Sequence, residues 1–294
     1  MEVVRMIVQT RQAVGAARAS GRKIALIPTM GYLHAGHLSL VRLAKTRADY
    51  IVVSLFVNPT QFGPQEDFSK YPRDEARDRG MLEAEGIDLL FAPEVRSIYP
   101  QEPRITFAIR GLADHLCGAR RPSHFNGVLL IVSKLFNVVQ PDIAVFGQKD
   151  LQQLLLIQRM VEELNFPLEI VAGPTVREPD GLAMSSRNSY LTSAERRQSS
   201  ILYRALQRAK ALMEGGEREA ERVIAQMREL IRSEAPLGQI DYISIVDLDG
   251  LQPRKKLDGR CAIALAVHFG RARLIDNLVL EISADGVREI PAIV

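Results

Sequence analysis

Cysteine is scarce in this chain of 294 residues. Cys117 and Cys261 are too few and too far apart for a disulfide framework, and they fit a reducing cytoplasm, which is the expected location. Neither lies in a CxxC pattern and HExxH is absent, so no metal site is expected. Long apolar runs are missing too. Val128 to Val132 stops at Ser133-Lys134, far too short for a bilayer, and Glu2, Arg5 and Arg11 stand where a signal peptide would be apolar. Net charge is small: 38 Lys+Arg against 35 Asp+Glu leave +3, and neither half of the chain is a basic patch. Nucleic acid is therefore not expected as a main partner, nor is a membrane. There is no internal repeat, no GxxxxGK[ST] and no GxGxxG after the first strand, which removes the P-loop and the usual dinucleotide fingerprint.

What remains is an ordinary globular composition, 47% apolar and 25% charged, long for one core and comfortable for two. Through about residue 175, strand-like and helix-like segments alternate. Lys23–Pro28, Tyr50–Val57, Asp88–Phe91, Asp142–Phe146 and Leu168–Ala172 are continuous apolar runs, as parallel strands covered on both faces should be. Between them Gly36–Arg47, Arg73–Glu85, Asn126–Val139 and Asp150–Leu164 read as helices, with Gly86 as a C-cap and Pro141 as a stop. The pattern predicts an α/β fold with a Rossmann-like doubly wound parallel sheet. Near residues 173–192 the chain turns rich in Gly, Pro and Ser. Thr192-Ser193-Ala194-Glu195 is a capping box that should start a long helix, about Ala194–Met213. A second helix, Glu217–Ser233, follows Gly215-Gly216, and strands are expected at Asp241–Val246, Cys261–His268 and Arg273–Ile282. The expected division is a nucleotide- and substrate-binding domain over 1–187 and a smaller α+β C-terminal lid domain over 188–294.

Three polar segments fall just after strand ends: Pro28 to His37, Asn58-Pro59-Thr60-Gln61-Phe62-Gly63, and Gly147-Gln148-Lys149-Asp150. In an open α/β sheet that edge holds the ligand. The first segment is the most telling. His34 and His37, separated by Ala35 and Gly36, share one face of a first helical turn, where free N–H groups and the helix dipole favour an anion. Small residues at 35 and 36 let a bulky ligand approach the backbone. Metal ligation by the two histidines is the weaker reading, because further ligands are sparse. The arrangement suggests a nucleotide site.

An HxGH turn with a downstream Ser/Arg-rich loop resembles the adenylyl-transferring superfamily that includes class I aminoacyl-tRNA synthetases. The likeness goes further. PTMGYLHAGHLSLV at 28–41, SLFVNPTQF at 54–62, RPSHFNGV at 121–128, FGQKDLQQL at 146–154 and DGLAMSSRNSYL at 180–191 together resemble the pantothenate synthetase (pantoate–β-alanine ligase) family over essentially the whole chain. The resemblance implies a two-step, ATP-dependent condensation of (R)-pantoate with β-alanine. Pantoate carboxylate attacks the α-phosphate of ATP to give pantoyl adenylate and pyrophosphate. The amine of β-alanine then displaces AMP to give pantothenate. A carboxylate is already an adequate nucleophile at neutral pH, so the first step needs positioning and charge cancellation rather than a covalent enzyme intermediate.

Residue by residue, the resemblance implies that Met30, Gly31, Tyr32, Leu33, His34, Ala35, Gly36 and His37 line the adenosine and phosphates. His34 and His37 donate to phosphate oxygens, and His37, deeper in the helix start, is the first choice of proton donor. Gly147, Gln148, Lys149 and Asp150 form a second ATP turn: Lys149 suits the α- or γ-phosphate, and Asp150 caps the next helix and reaches the ribose. Val176 meets adenine through its backbone. Met184, Ser185, Ser186 and Arg187 belong to a mobile loop closing on the triphosphate, with Arg187 facing only phosphate and sharing with Lys149 the charge role of the missing KMSKS lysine. His37, His34 and Lys149 are the catalytic set.

Gln61 and Gln153 fit pantoate and β-alanine, since neutral amides bind hydroxyls and a carboxylate without a tight ion pair. Asn58, Tyr71 and Arg121 are weaker candidates around the same cleft; His124 stays uncommitted, and His268 reads as an ordinary strand residue. ATP is expected as a substrate with Mg2+ held mainly by its phosphates, no tightly bound cofactor is expected, and the resemblance implies a homodimer through the N-terminal domain. The competing readings are another adenylyltransferase with a nucleotide as second substrate, and an RNA-binding module using Arg254-Lys255-Lys256. Near-neutral charge and the lack of an aromatic platform disfavour the second.

Overall fold

The computed structural model describes residues 1–64 and 66–293. Six strands, β1 (Glu2–Val4), β2 (Ile24–Thr29), β3 (Tyr50–Leu55), β4 (Leu89–Phe91), β5 (Ile143–Gly147) and β6 (Glu169–Gly173), form one parallel sheet in the order β1-β4-β3-β2-β5-β6. The helices among them are α1 (Ile7–Ala19), α2 (Ala35–Lys45), α3 (Glu75–Glu85), α4 (Val95–Ile98), α5 (Leu116–Arg120), α6 (His124–Val139) and α7 (Leu151–Glu163). Alternate residues of β2 face opposite ways. Ile24 and Leu26 join a core with α1, α6 and α7, whereas Ala25 and Ile27 join one with α2 and α3. The sheet is thus covered on both faces, which is why its strands read as unbroken apolar runs. From β2 the chain winds outward through β3 to β4, then returns to place β5 on β2's other side. The crevice between the C-terminal ends of β2 and β5 is therefore a topological switch point, the position where such sheets bind ligands.

The rest of the chain holds α8 (Ser193–Ser199), α9 (Ile201–Glu214), α10 (Ala220–Glu234) and an antiparallel sheet of β7 (Gly238–Val246), β8 (Gly259–Phe269), β9 (Ala272–Ser283) and β10 (Gly286–Glu289), ordered β10-β9-β8-β7. Cys261, Ile263, Leu265 and Val267 of β8 pack with α9 and α10, while Ala262 and Ala264 share a core with the first half of the chain. Val246, Leu251, Val279 and Ile293 do the same. The apolar interior is continuous across the junction between the two sheets.

The expected elements are present with ends shifted by a few residues, and three differences have physical causes. The long helix after Thr192 is two helices. The capping box forms as expected, with Glu195 Oε2 accepting from the Thr192 amide at 2.8 Å. At the seventh residue, however, the Ser199 hydroxyl donates to the Arg196 carbonyl at 2.9 Å and competes with the helix ladder. β1 and β10 are edge strands of three and four residues, too short for a periodic signal. Helix α1 is rich in Ala, Gln and Arg, and Thr10, Val14 and Ala17 are its buried positions, so its apolar stripe is thin.

Candidate active site

The turn after β2 is tied down before it reaches the cavity. Asp78 of α3 is fully buried, and its two oxygens accept from the backbone amides of Tyr32 at 2.6 Å and Leu33 at 2.7 Å. Gly31 (φ 84) and Tyr32 (φ 52) both take left-handed backbone, and a Cβ at Gly31 would stand 3.1 Å from the Asp78 carboxylate. Leu33 is buried in the core, and Arg77 lies 5.1 Å over the Tyr32 ring. Gly31, Tyr32 and Leu33 build the turn, and with Ala35 they lie outside the wall of the cavity. Met30, His34, Gly36 and His37 do line the cavity.

The two histidines make a reciprocal cap for α2. The Gly36 amide donates to His34 Nδ1 at 3.1 Å, and the His34 amide donates to His37 Nδ1 at 3.3 Å. An Nδ1 that accepts cannot carry the proton, so both neutral rings hold it on Nε2. The ring centroids are 4.1 Å apart. A Cβ at Gly36 would meet the His34 ring at 2.9 Å, so this packing requires glycine. Burial, then the neighbouring charges of His37 and Lys149, push His34 down to about 3. Burial and Lys149 push His37 down to about 4. His37 is therefore uncharged at neutral pH, with its Nε2–H free to donate a hydrogen bond.

The cavity at the switch point measures about 210 Å³ and is lined on one side by Asn58, Gln61, Tyr71 and residues of α6. Gln61 sits on a 3-10 turn, Pro59–Gln61, pressed against α6. A Cβ at Gly127 would stand 2.1 Å from the Thr60 carbonyl oxygen. Asn58 is buried: its amide donates to Gln61 Oε1 at 3.1 Å and to the Gly127 carbonyl at 3.0 Å, and Tyr99 donates to its Oδ1 at 2.9 Å. His124 finds its role here. Arg121 donates to His124 Nε2 at 2.9 Å, so Nδ1 carries the proton and donates to the Gln61 carbonyl at 2.7 Å. Burial pushes His124 down to about 4, with Arg121 adding to the shift. Arg121 is held in turn by both Glu66 oxygens at 2.6 Å.

Across the cavity, β5 runs into a 3-10 turn, Gln148–Asp150. Gly147, Lys149, Asp150 and Gln153 line the cavity, but Gln148 does not. Its buried amide donates to the Ile290 carbonyl at 3.1 Å and accepts from the Ile293 amide at 2.7 Å, so its side chain anchors that later segment. Asp150 stands at the N-cap of α7 without a capping hydrogen bond, because its backbone (φ −95, ψ 56) is not that of an N-cap. The expected cap is absent. Val176, Met184, Ser185, Ser186 and Arg187 complete the wall, with the Met184 amide donating to the Val176 carbonyl at 3.0 Å. Ser185 caps its own 3-10 turn through the Arg187 amide, and Ser186 donates to the Tyr32 carbonyl at 3.1 Å. Asp67 takes both ends of the Arg187 guanidinium.

Lys149, Asp150, Gln153, Ser185 and Arg187 also border a larger cleft of about 670 Å³ between the two sheets. Its far side carries His268, Arg271 and Arg273. His268 is half-buried on β8 and part of this wall, which no periodicity in the strand would reveal. Asp78 and Gly127 were not among the expected site residues. A glycine inside a helix does signal close packing, but nothing in a helical aspartate marks it as the clamp of a distant turn. Among the described residues there is no cluster of three or more His, Cys, Asp or Glu that would hold a metal, and no helix is long and apolar enough to cross a membrane.

Residues 2–279 match the family model for pantoate-beta-alanine ligase. A curated pantothenate synthetase of Moorella thermoacetica is 53% identical over 283 residues, 96% of this chain and 100% of that protein. The crystal structure of the Thermus thermophilus pantothenate synthetase superposes with a TM-score of 0.90 at 43% identity, covering 95% of this chain and 99% of that one. A pantoate-beta-alanine ligase from Francisella tularensis, crystallised with beta-gamma ATP and beta-alanine, gives 0.78 at 33% identity over 94% of this chain and 97% of its own. The polar turns at the switch point and these likenesses over nearly the full length agree: the chain belongs to the pantoate-beta-alanine ligase family.

Proposed function

We propose a division of labour for the family reaction, the ATP-dependent condensation of (R)-pantoate with β-alanine through pantoyl adenylate. The observation that carries it is the convergence of His34, His37 and Lys149 on the cavity between β2 and β5. ATP enters with its adenine toward Val176 and Met184 and its phosphates toward the start of α2. Two Nε2–H groups and the Lys149 ammonium then meet the charge that builds on the α-phosphate oxygens as pantoate attacks. Neutral imidazoles suit this task, since they donate without competing for the proton. A bound polyphosphate would draw their pKa values upward and strengthen the donation.

Gln61 and Gln153 hold pantoate in line with the α-phosphate. The bond formed joins the pantoate carboxylate oxygen to that phosphorus; the bond broken releases pyrophosphate. In the second step the β-alanine amine attacks the acyl carbon and AMP leaves. Mg2+ travels with ATP as part of the substrate, held mainly by phosphate oxygens, and no tightly bound cofactor takes part. The residues before about 187 carry the pantoate site and most of the ATP site, while Ser185 to Arg187 close over the triphosphate from the junction. The two buried, unpaired cysteines fit a cytoplasmic location. A homodimer through the N-terminal part is the assembly we expect, and exposed Met6 and Val8 on that part would lie at or near its interface.

Exchange of labelled pyrophosphate into ATP tests this reading. It should require pantoate and proceed without β-alanine. Exchange that occurs without pantoate, or only with another acid, overturns the substrate assignment.

A further inference from the structure

In the middle of β9 an apolar strand is interrupted by two adjacent polar residues. Asp276 is 2% exposed and Asn277 is 4% exposed. Neighbouring strand residues face opposite ways. Asn277, between Ile275 and Val279 in its row, faces the parallel-sheet half of the chain, and Asp276 faces away from it. The Asn277 side-chain amide donates both of its hydrogens, to the Gln148 carbonyl at 3.1 Å and the Lys149 carbonyl at 2.9 Å. Those are two consecutive carbonyls of the turn that carries Lys149.

The orientation of this amide is forced, because rotating it would aim its oxygen at two carbonyl oxygens. Its Oδ1 is buried and has no partner among the described residues. A buried unpaired acceptor weakens a fold, and an apolar residue would avoid it. The two donors are therefore what the position supplies. Asn277 is itself held: its backbone amide donates to Asp276 Oδ1 at 2.8 Å, and Arg177 donates to both Asp276 oxygens at 2.6 and 3.0 Å. Arg177 in turn lies 4.1 Å over the Tyr203 ring of α9. Gln148 ties the other side of the same turn to Ile290 and Ile293.

We propose that Asn277 is a positioning residue for Lys149, fixing from the second sheet the two peptide planes that set the direction in which the lysine side chain leaves the turn. The proposal rests on Lys149 being the cation that meets phosphate. A lysine has a long flexible stem and gains nothing from a rigid head group, so the accuracy of its ammonium depends on where its Cα–Cβ bond points. The antiparallel sheet is then part of the adenylation apparatus and not only a cover for it, and a shift of β9 moves Lys149 directly.

The test is a double-mutant cycle on pantoate-dependent pyrophosphate exchange in the full chain. Asn277→Ala should lower kcat between about tenfold and a hundredfold, as for a misplaced charge, and leave the pantoate Kd within about twofold. Asn277→Ser, keeping one donor, should recover part of the loss. In a Lys149→Ala background Asn277→Ala should cost little more, because its target is gone. Full multiplication of the two losses, or wild-type kcat in Asn277→Ala, overturns the proposal. Should Lys149→Ala by itself leave exchange unchanged, the assignment of Lys149 is what fails. If circular dichroism shows Asn277→Ala unfolded, the Asn277→Ser cycle takes its place with the same criteria.

Discussion

The Arg187 guanidinium is gripped at both ends by Asp67, Nε to Oδ2 and Nη2 to Oδ1, each at 3.1 Å. The pair is three-quarters buried, and Arg187 also lies 5.4 Å over the Tyr71 ring. On the role proposed for Arg187, ATP would exchange this carboxylate for its own phosphate. Arg187→Ala should raise the KM for ATP about tenfold or more and leave pantoate binding nearly intact. Asp67→Asn should act oppositely and lower the ATP KM by roughly fivefold, the value of a modest ion pair. Titration calorimetry with each ligand separates the effects. An Arg187→Ala protein that loses pantoate binding and keeps ATP would show that the arginine serves the other substrate.

His37→Ala and Lys149→Ala should each reduce adenylate formation on the order of a hundredfold, the usual loss for one charge-stabilising donor. Neither should unfold the chain, since both side chains end in the cavity. Single-turnover adenylation with circular dichroism as the control measures this. Undiminished adenylation by folded His37→Ala would remove the histidine from the site.

Stability should fall as pH drops from 6.5 toward 4. In the folded chain His34 is held at about 3, and His37 and His124 at about 4, against an ordinary 6.5. The unfolded chain therefore takes up protons in that window while the folded chain does not. Stability rises with pH wherever the unfolded state binds more protons. This contribution is fully present above 6.5 and lost progressively below it. Thermal melting at pH 7.5, 6 and 5 should show a falling midpoint, with ATP raising the midpoint most at acid pH, because a polyphosphate that draws the His34 and His37 pKa values upward binds with uptake of protons. A midpoint that is flat over this range would mean that these rings are already charged in the folded protein.

Gly127→Ala should both destabilise the protein and impair pantoate use. Its Cβ would meet the backbone of Thr60 at 2.1 Å, and backbone cannot rotate away as a side chain can. Forcing α6 off the Pro59–Gln61 turn should cost about 1–3 kcal/mol, the range for overpacking, and displace Gln61 with it. Denaturant melts and the pantoate KM report the two effects. A stable Gly127→Ala protein with unchanged pantoate KM would show that Gln61 is not placed by this contact.

Much of this protein was legible in its residues taken alone. Apolar runs broken by helical periods specify the α/β class, since only parallel strands buried on both faces need to be apolar throughout. The three polar segments after strand ends, with His34, His37, Gln61 and Lys149 in them, mark one edge of that sheet for the same reason. Local signals also set caps such as Thr192 with Glu195 and the left-handed Gly86. Tertiary structure decided the contacts that depend on residues distant in the chain. Asp78 clamps a turn 45 residues upstream, Gln148 turns away to hold Ile293, Asp67 occupies Arg187, and Asn277 grips the turn of Lys149. A hydrogen-bonding side chain carries no mark of its partner in the sequence. Its orientation is set when packing brings two segments together and removes water as the alternative partner.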